Sequence, residues 1–363
     1  MTDAEKSLRD EIQRRGPVSF QRFMEVALYG PGCGYYESAE RVIGRAGDFY
    51  TSVSVGPVFG FLLASWCARQ FADFDRIDFI ETAAHDARLA RDILAALHDF
   101  HPETAARLHY RIVEPSPVRR GVQERALAAE SFRVTWHAGL HEVPRPVRGV
   151  IFANELLDAF PVQLFEWDAS SGEWFERGVT IRNGALAWCR IGPASPVELP
   201  PELRSILPDR FLLERCPAAD EWWRTAARLL GTGVLLTFDY GFEDELPVFP
   251  THPEGTLRAY SRHRLSTSIL ASPGDQDLTA HVQLGRLRRI GEEEGLVTEA
   301  LMPQGRWLGR IAAGILEQSP PAAEWLLRHA RQLQTLLHPT HLGQALKTLA
   351  QGRGISVRQG TGS

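Results

Sequence analysis

From about residue 75 onward, short apolar runs alternate along the chain with segments of helical periodicity. Runs of this length, separated by helices, are typical of strands in a parallel sheet that helices cover on both faces. The pattern predicts a doubly wound, Rossmann-like α/β sheet, with strands at 77–81, 108–114, 132–136, 147–153 and 233–240.

Two further patterns flank and interrupt this sheet. Helical spacing predicts helices at 8–15 and 20–28, followed by a long loop at 33–54. Between residues 162 and 190 the apolar positions alternate with a period of two, which predicts an antiparallel meander with strands at 162–167, 173–181 and 185–190. After residue 276 we expect mostly helix, with one late strand near 296–301.

These patterns predict three parts of the chain. Residues 1–60 carry the N-terminal helices and a covering loop, 61–161 with 225–363 form the Rossmann-like domain, and 162–224 form an inserted β-rich subdomain. The insert is a candidate substrate-covering or homodimer surface. Aromatic side chains in strands are more often simply half-buried packing, and this alternative applies to Trp167, Trp174, Phe175 and Trp188.

Composition narrows the function classes. The 363 residues are 44% hydrophobic and 23% charged, with a net charge of -5, so no chain-wide positive field attracts nucleic acid or an anionic membrane. The four cysteines form no C-x-x-C pair, which argues against a structural metal site and against a disulfide framework. The N-terminus resembles neither a secretory signal nor a transit peptide, so we expect a cytoplasmic protein.

In doubly wound sheets, ligands bind beyond the carboxyl ends of the strands, and here several strands end in acids. Glu114 closes the second predicted strand, where a carboxylate can accept hydrogen bonds from the ribose hydroxyls of a nucleoside. The alternative is that Glu114 only complements the dipole of the following helix. The fifth strand ends near Asp239, again with an acid. His281 lies further along the chain, and a single histidine is more often a structural residue than one that titrates near neutral pH.

Beyond the fourth predicted strand, Asn154, Glu155 and Asp158 place one amide and two carboxylates within five residues. Such groups are costly to bury without partners, and they could orient an amine or guanidinium nucleophile. The alternative is a helix at 155–160 that Asn154 caps. The chain contains no G-x-S-x-G motif and no P-loop, and no G-x-G-x-x-G follows the first strand, so nicotinamide chemistry is disfavoured.

Taken together, the sequence motifs of this chain resemble those of the MidA-like family of S-adenosylmethionine-dependent methyltransferases. The mitochondrial members of that family are complex I assembly factors that methylate a protein arginine. The matching pieces follow the family order over nearly the whole chain. They are GPVSF at 16–20, GYY at 34–36, GDFYTS at 47–52, VEPSP at 113–117, NELLDAFP at 154–161, DYG at 239–241, GTLRAY at 255–260 and DLTAHV at 277–282.

The resemblance implies S-adenosylmethionine as the cofactor and a protein arginine as the methyl acceptor, with no metal. It implies that Asn154, Glu155 and Asp158 face the acceptor. Glu114 would hold the ribose, and Trp136 or His137 would pack near the adenine. The other implied cofactor residues lie in the covering loop, the first-strand loop and the fourth strand, at Gly47, Asp48, Phe49, Thr51, Glu81, Ala83, His85 and Asn154.

One departure from the family pattern motivates an alternative function. The family's E-x-G-x-G-x-G loop after the first strand carries Ala83, His85 and Ala87 in place of its three glycines. If those positions have positive φ, each side chain costs about 1 kcal/mol or more. The alternative is therefore a methyltransferase-fold binding or assembly protein that has lost its cofactor.

Overall fold

The structure is a computed structural model and describes residues 1–37, 51–128, 133–196, 199–244, 251–261, 264–266, 268–318, 320–340 and 342–357. Its α-helices are α1 (Asp3–Arg15), α2 (Phe20–Tyr29), α3 (Val58–Gln70), α4 (Arg88–Phe100), α5 (Pro102–Arg107), α6 (Pro117–Leu127), α7 (Pro201–Ile206), α8 (Pro217–Leu229), α9 (Leu284–Glu293), α10 (Gln304–Gln318), α11 (Pro320–Arg328), α12 (Ala330–Leu337) and α13 (Leu342–Ala345).

The strands are β1 (Val18–Ser19), β2 (Ile77–Thr82), β3 (Leu108–Val113), β4 (Val134–His137), β5 (Val147–Asn154), β6 (Gln163–Asp168), β7 (Glu173–Arg182), β8 (Ala185–Ala194), β9 (Leu212–Arg215), β10 (Leu230–Phe242), β11 (Arg258–Ser261), β12 (Arg264–Leu265), β13 (Asp277–Thr279), β14 (Val282–Gln283), β15 (Val297–Pro303) and β16 (Leu346–Arg353).

The described residues fall into two compact units. The first takes in the described parts of Met1–Arg41, Asp158–Glu221 and Asp244–Gln283, and the second those of Val42–Leu157, Trp222–Glu243 and Leu284–Ser363. This division differs from the three parts predicted from the sequence. The reason is a shared core, in which side chains of α1 and α2 pack with those of β6, β7 and β13.

The second unit is built on the predicted doubly wound sheet. Its strands lie in the order β15-β16-β10-β5-β2-β3-β4, and the five from β10 to β4 run parallel. Phe238 of β10 makes edge contacts with Phe59 of α3 and Trp307 of α10, at centroid distances of 5.4 and 5.2 Å. The prediction of a doubly wound, Rossmann-like α/β sheet is therefore confirmed.

One strand of this sheet contradicts the sequence prediction. Residues after 276 were expected to be mostly helical with one late strand near 296–301, and β16, which lies antiparallel between β10 and β15, was not predicted. These two neighbours satisfy its backbone hydrogen bonds on both edges, and Leu346, Leu349 and Ala350 are fully buried. The late strand itself is present as β15.

The first unit contains the predicted meander, which forms a sheet of order β1-β7-β6-β9 with β8 paired to β7. A second small sheet has the order β12-β11-β13. The meander's tryptophans pack inside the unit: Trp167 and Trp174 lie 5.2 Å apart, and Trp188 lies 5.1 Å from Phe20. These contacts favour the packing interpretation for those side chains.

Candidate cofactor and acceptor site

The loop between β2 and α4 has the backbone conformation that glycine favours, although it contains no glycine. Ala83, His85 and Ala87 have φ of 59°, 47° and 60°, all in the left-handed region. The Ala83 N–H donates to the carbonyl of Val113 at 2.9 Å, and the Ala87 N–H donates to that of Ala84 at 2.7 Å. The loop therefore retains its turn while storing about 1 kcal/mol of strain or more at each position.

The His85 ring is held to one side of this loop. Its Nε2 lies 3.3 Å from Arg119 Nη1, and its Nδ1 lies 3.8 Å from the Asp86 carboxylate. Burial opposes the ionisation of Asp86. Its interaction with the His85 ring and its hydrogen bond from the Arg88 N–H outweigh that effect and lower the pKa of Asp86 to about 2. Asp86 thus stays charged, and its Oδ1 accepts the Arg88 N–H at the start of α4.

Glu114 follows β3 directly, and its carboxylate is buried and fixed from two sides. Its Oε1 accepts the N–H of Ser116 at 3.0 Å, and its Oε2 accepts an N–H of Gln123 at 2.9 Å. Ser116 is the N-cap residue of α6. The bond therefore places the Glu114 carboxylate beside the N-terminus of this helix, as the alternative interpretation of Glu114 expected. The two bonds fix the orientation of the carboxylate at the carboxyl end of β3, where ligands bind in doubly wound sheets.

Gln123 joins three of the predicted site residues, and the sequence analysis missed it. Besides Glu114, its amide N–H group donates to the His85 carbonyl at 3.2 Å, and its Oε1 accepts the Trp136 indole N–H at 3.1 Å. His137, beside Trp136, contributes its carbonyl to the Glu114 N–H at 2.9 Å. Partial burial, with nearby Arg111, lowers the pKa of the His137 ring.

Glu81 lies inside β2 and is buried rather than presented at the strand end. The Tyr110 hydroxyl donates to its Oε2 at 2.6 Å. Burial raises the pKa of Glu81 to about 7, against the opposing effect of that hydrogen bond. The carboxyl is therefore partly protonated near neutral pH.

At the carboxyl end of β5, Glu155 has a left-handed backbone with φ of 48°. Its Oε1 accepts the Asn154 side-chain amide and the Ser52 N–H, each at 3.1 Å. Asn154 caps no helix here, because only a short 3-10 turn at Leu157–Ala159 follows it, so the helical alternative is wrong. Within the described chain, the buried Asn154 Oδ1 has no hydrogen-bond partner.

The segment around Ser52 connects this acid to α10. The Ser52 hydroxyl donates to Gln304 Oε1 at 3.0 Å, and both side chains are fully buried. Gln304 Nε2 has no hydrogen-bond partner among the residues that the structure describes. The Thr51 hydroxyl instead accepts the Ser54 N–H in a local turn. Gly47, Asp48 and Phe49 lie outside the described residues.

Asp158 belongs to the first unit, whereas Asn154 and Glu155 belong to the second. Burial raises the pKa of Asp158 to about 7, although its own backbone N–H and that of Ala159 donate to it. Asp158 forms no ion pair with any basic residue in the described ranges. In the same unit the Tyr36 hydroxyl donates to both carboxylate oxygens of Asp277, at 2.9 and 3.0 Å.

Two other polar residues from the sequence analysis have structural roles. The Asp239 Oδ2 accepts the Leu157 N–H at 2.8 Å, which fixes the turn after β5. Burial lowers the pKa of His281 to about 4, so this ring is neutral at physiological pH. No group of three or more His, Cys, Asp or Glu that could hold a metal, and no helix able to cross a membrane, occurs in the described part of the chain.

A parallel sheet with a left-handed loop after β2 and a fixed acid after β3 defines a Rossmann-like nucleoside-binding fold. Residues 62–302 match the family described as "Putative S-adenosyl-L-methionine-dependent methyltransferase", and the chain belongs to this family. The protein is an S-adenosylmethionine-dependent methyltransferase, and S-adenosylmethionine is its cofactor.

Individual relatives extend over nearly the whole chain. The chain is 27% identical to "Protein arginine methyltransferase NDUFAF7 homolog, mitochondrial" of Drosophila melanogaster, over 96% of this chain and 85% of that protein. It is 24% identical to "Protein arginine methyltransferase NDUFAF7, mitochondrial" of Danio rerio, over 93% and 84%. A Burkholderia thailandensis crystal structure bound to S-adenosyl-homocysteine is 32% identical, with a TM-score of 0.84, covering 97% of this chain and 92% of that one.

Proposed function

We propose that this protein methylates a nitrogen of an arginine side chain in a protein partner. The observation that carries the proposal is the Glu155 carboxylate, which two N–H donors hold on a strained backbone at the carboxyl end of β5. The names of the curated relatives, which are protein arginine methyltransferases, support the same acceptor.

The residues of the second unit fit the cofactor. The loop at 83–87 keeps the left-handed backbone of a glycine loop, and the Glu114 carboxylate is held at the end of β3, where a ribose-binding acid is expected. We assign Glu81, Ala83 and His85 to the methionine end. The assignments that complete the cofactor site are Trp136 or His137 beside the adenine, Asn154 at the sheet edge, and Gly47, Asp48, Phe49 and Thr51 in the covering loop.

When bound, the cofactor supplies a methyl group on a positively charged sulfur, so the protein need not activate a leaving group. The chain's own task is to orient the acceptor. A guanidinium is delocalised and poorly nucleophilic, and a carboxylate that accepts two of its N–H groups aligns it and localises its charge. We assign this task to Glu155, with Asn154 fixing the carboxylate.

Methylation of an arginine nitrogen releases one proton, which needs an acceptor. Asp158 suits this task because burial raises its pKa to about 7 and because no described basic residue forms an ion pair with it. A carboxyl whose pKa lies near the working pH transfers protons efficiently in either direction. Asp158 is therefore assigned as the base and Glu155 as the orienting acid.

Amino-acid analysis tests the acceptor. The purified protein is incubated with methyl-labelled S-adenosylmethionine and a protein extract of its source organism, and the labelled protein is hydrolysed. We expect the label in methylarginine, and we expect the Glu155→Gln protein to transfer much less. Label recovered in methyllysine or in a base-labile carboxyl ester would contradict the arginine assignment.

A further inference from the structure

His85 occupies the middle left-handed position of the loop after β2, between Ala83 and Ala87, and it has the only large side chain of the three. We infer that its ring is a positioning residue: through its contact with Arg119 of α6, it holds this loop in the shape that receives the methionine end of the cofactor. The inference rests on the proposed assignment of the loop to the methionine end. It gives a function to a side chain that would otherwise only strain the backbone.

Two side chains of α6 bind this one residue. Arg119 Nη1 lies 3.3 Å from the ring Nε2 of His85, and the Gln123 side-chain N–H donates to the His85 carbonyl at 3.2 Å. Arg119 and Gln123 are both buried, and because they are four residues apart they lie on the same face of the helix. His85 is therefore held to α6 by its ring and by its main chain at once.

The contact with Arg119 also sets the orientation of the ring. A guanidinium carries only N–H donors, so Nε2 of His85 accepts and the ring proton lies on Nδ1. Nδ1 faces the Asp86 carboxylate at 3.8 Å, and that carboxylate accepts the Arg88 N–H at 3.1 Å. The ring thus lies between α6 and the residues that begin α4.

The loop contains donors that its own fold does not use. Among the described residues, the backbone N–H groups of Ala84, His85 and Asp86 have no hydrogen-bond partner. Successive N–H groups in a turn form a concave set of donors for an anionic or carbonyl group. Their directions depend on the backbone at His85, which would relax from its left-handed φ if the ring were released. The loss should therefore fall on the methionine end and not on the nucleoside.

The experiment compares two probes on each protein by calorimetry: S-adenosyl-homocysteine, and adenosine, which lacks the amino-acid chain. We expect the unaltered protein to bind S-adenosyl-homocysteine at least about tenfold more tightly, as hydrogen bonds to a charged group permit. His85→Leu keeps a side chain at the left-handed position but removes the acceptor, so the preference should fall to within about threefold. If His85→Leu does not fold, His85→Gly, which also removes the acceptor, should show the same loss.

A conservative variant and a control variant complete the set. In His85→Gln the Oε1 acceptor lies as many bonds from Cβ as Nε2 does in histidine, so Arg119 can still donate to it, and the preference should return to within about threefold of the original. The matched control is His101, a partly buried histidine whose Nε2 lies 3.2 Å from the Ser65 hydroxyl. His101→Leu should lower the melting temperature but leave the preference unchanged.

The outcomes separate the inference from its premise. A preference that survives in His85→Leu, or that is lost equally in His85→Gln, would show that the contact with Arg119 does not position the loop and would overturn the inference. Equal binding of the two probes by the unaltered protein would instead overturn the assignment of the loop to the methionine end. A preference lost in His85→Leu but kept in His85→Gln and His101→Leu supports both.

Discussion

The hydroxyl of Tyr110 donates a 2.6 Å hydrogen bond to the carboxylate of Glu81 across the two neighbouring strands β2 and β3. Both side chains are buried in the second unit, where a charge is poorly solvated. Burial accordingly raises the pKa of Glu81 from 4.5 to about 7. The protein therefore prefers Glu81 protonated, and this preference has a measurable effect on stability.

Glu81→Gln should remove a pH-dependent loss of stability. Because the folded pKa exceeds the unfolded one, the protonated carboxyl stabilises the fold fully below pH 4.5, and this contribution disappears as the pH rises through 7. Relative to the unaltered protein, Glu81→Gln should gain about 1 to 3 kcal/mol between pH 5 and pH 8 in urea unfolding. The exposed Glu103→Gln serves as control, and an equal gain there would refute the interpretation.

Restoring glycine in the loop after β2 should relieve backbone strain. Ala83→Gly and Ala87→Gly replace side chains at left-handed positions, so each should raise the free energy of unfolding by about 0.5 to 1 kcal/mol. Ala84→Gly is the matched control, since Ala84 lies between them and has no positive φ. We expect that substitution to destabilise the protein, and stabilisation of similar size at all three positions would argue against strain.

The bond between Ser52 and Gln304 should be visible as energetic coupling. In a double-mutant cycle with Ser52→Ala and Gln304→Met, we expect a coupling of about 0.5 to 1.5 kcal/mol in the free energy of unfolding. Ser54 bonds to Thr51 and not to Gln304, so Ser54→Ala should be additive with Gln304→Met. Additivity in both cycles would mean that the bond contributes nothing.

Asp158→Asn should stop methyl transfer and spare cofactor binding. The variant keeps the shape of the side chain but cannot accept a proton, so we expect a rate loss of about 100-fold or more. The affinity for S-adenosyl-homocysteine should stay within about twofold. In the unaltered protein the rate should rise with pH through about 7, as Asp158 loses its proton. A pH-independent rate, or an active Asp158→Asn protein, would exclude the base role.

Most of the central sheet could be predicted, because strands such as β2 and β5 are short apolar runs that end in polar residues. β16 could not, since Lys347, Thr348, Gln351 and Arg353 interrupt its apolar pattern. Its strand conformation depends on pairing with β10 and β15, which lie more than 40 residues earlier in the chain. The division into units likewise depends on packing between distant segments.

The site shows the same limit at the level of single residues. Glu114 and Asn154 could be found because they close strands, where ligands bind. Gln123 could not, because a glutamine in the middle of a helix carries no local signal, and its role arises only from contacts with His85, Glu114 and Trp136. The cytoplasmic location stays a prediction, because no feature of the structure tests it. The two arginine methyltransferase relatives named above are mitochondrial proteins by name.

The central claim is that a loop without glycine, held in the left-handed conformation, forms a working cofactor site. Calorimetric titration of the unaltered protein with S-adenosyl-homocysteine tests this most directly, alongside a variant carrying Ala83→Gly, His85→Gly and Ala87→Gly. We predict micromolar binding by the unaltered protein. No binding by that protein, with binding by the glycine variant, would show that the side chains close the site and would contradict the claim.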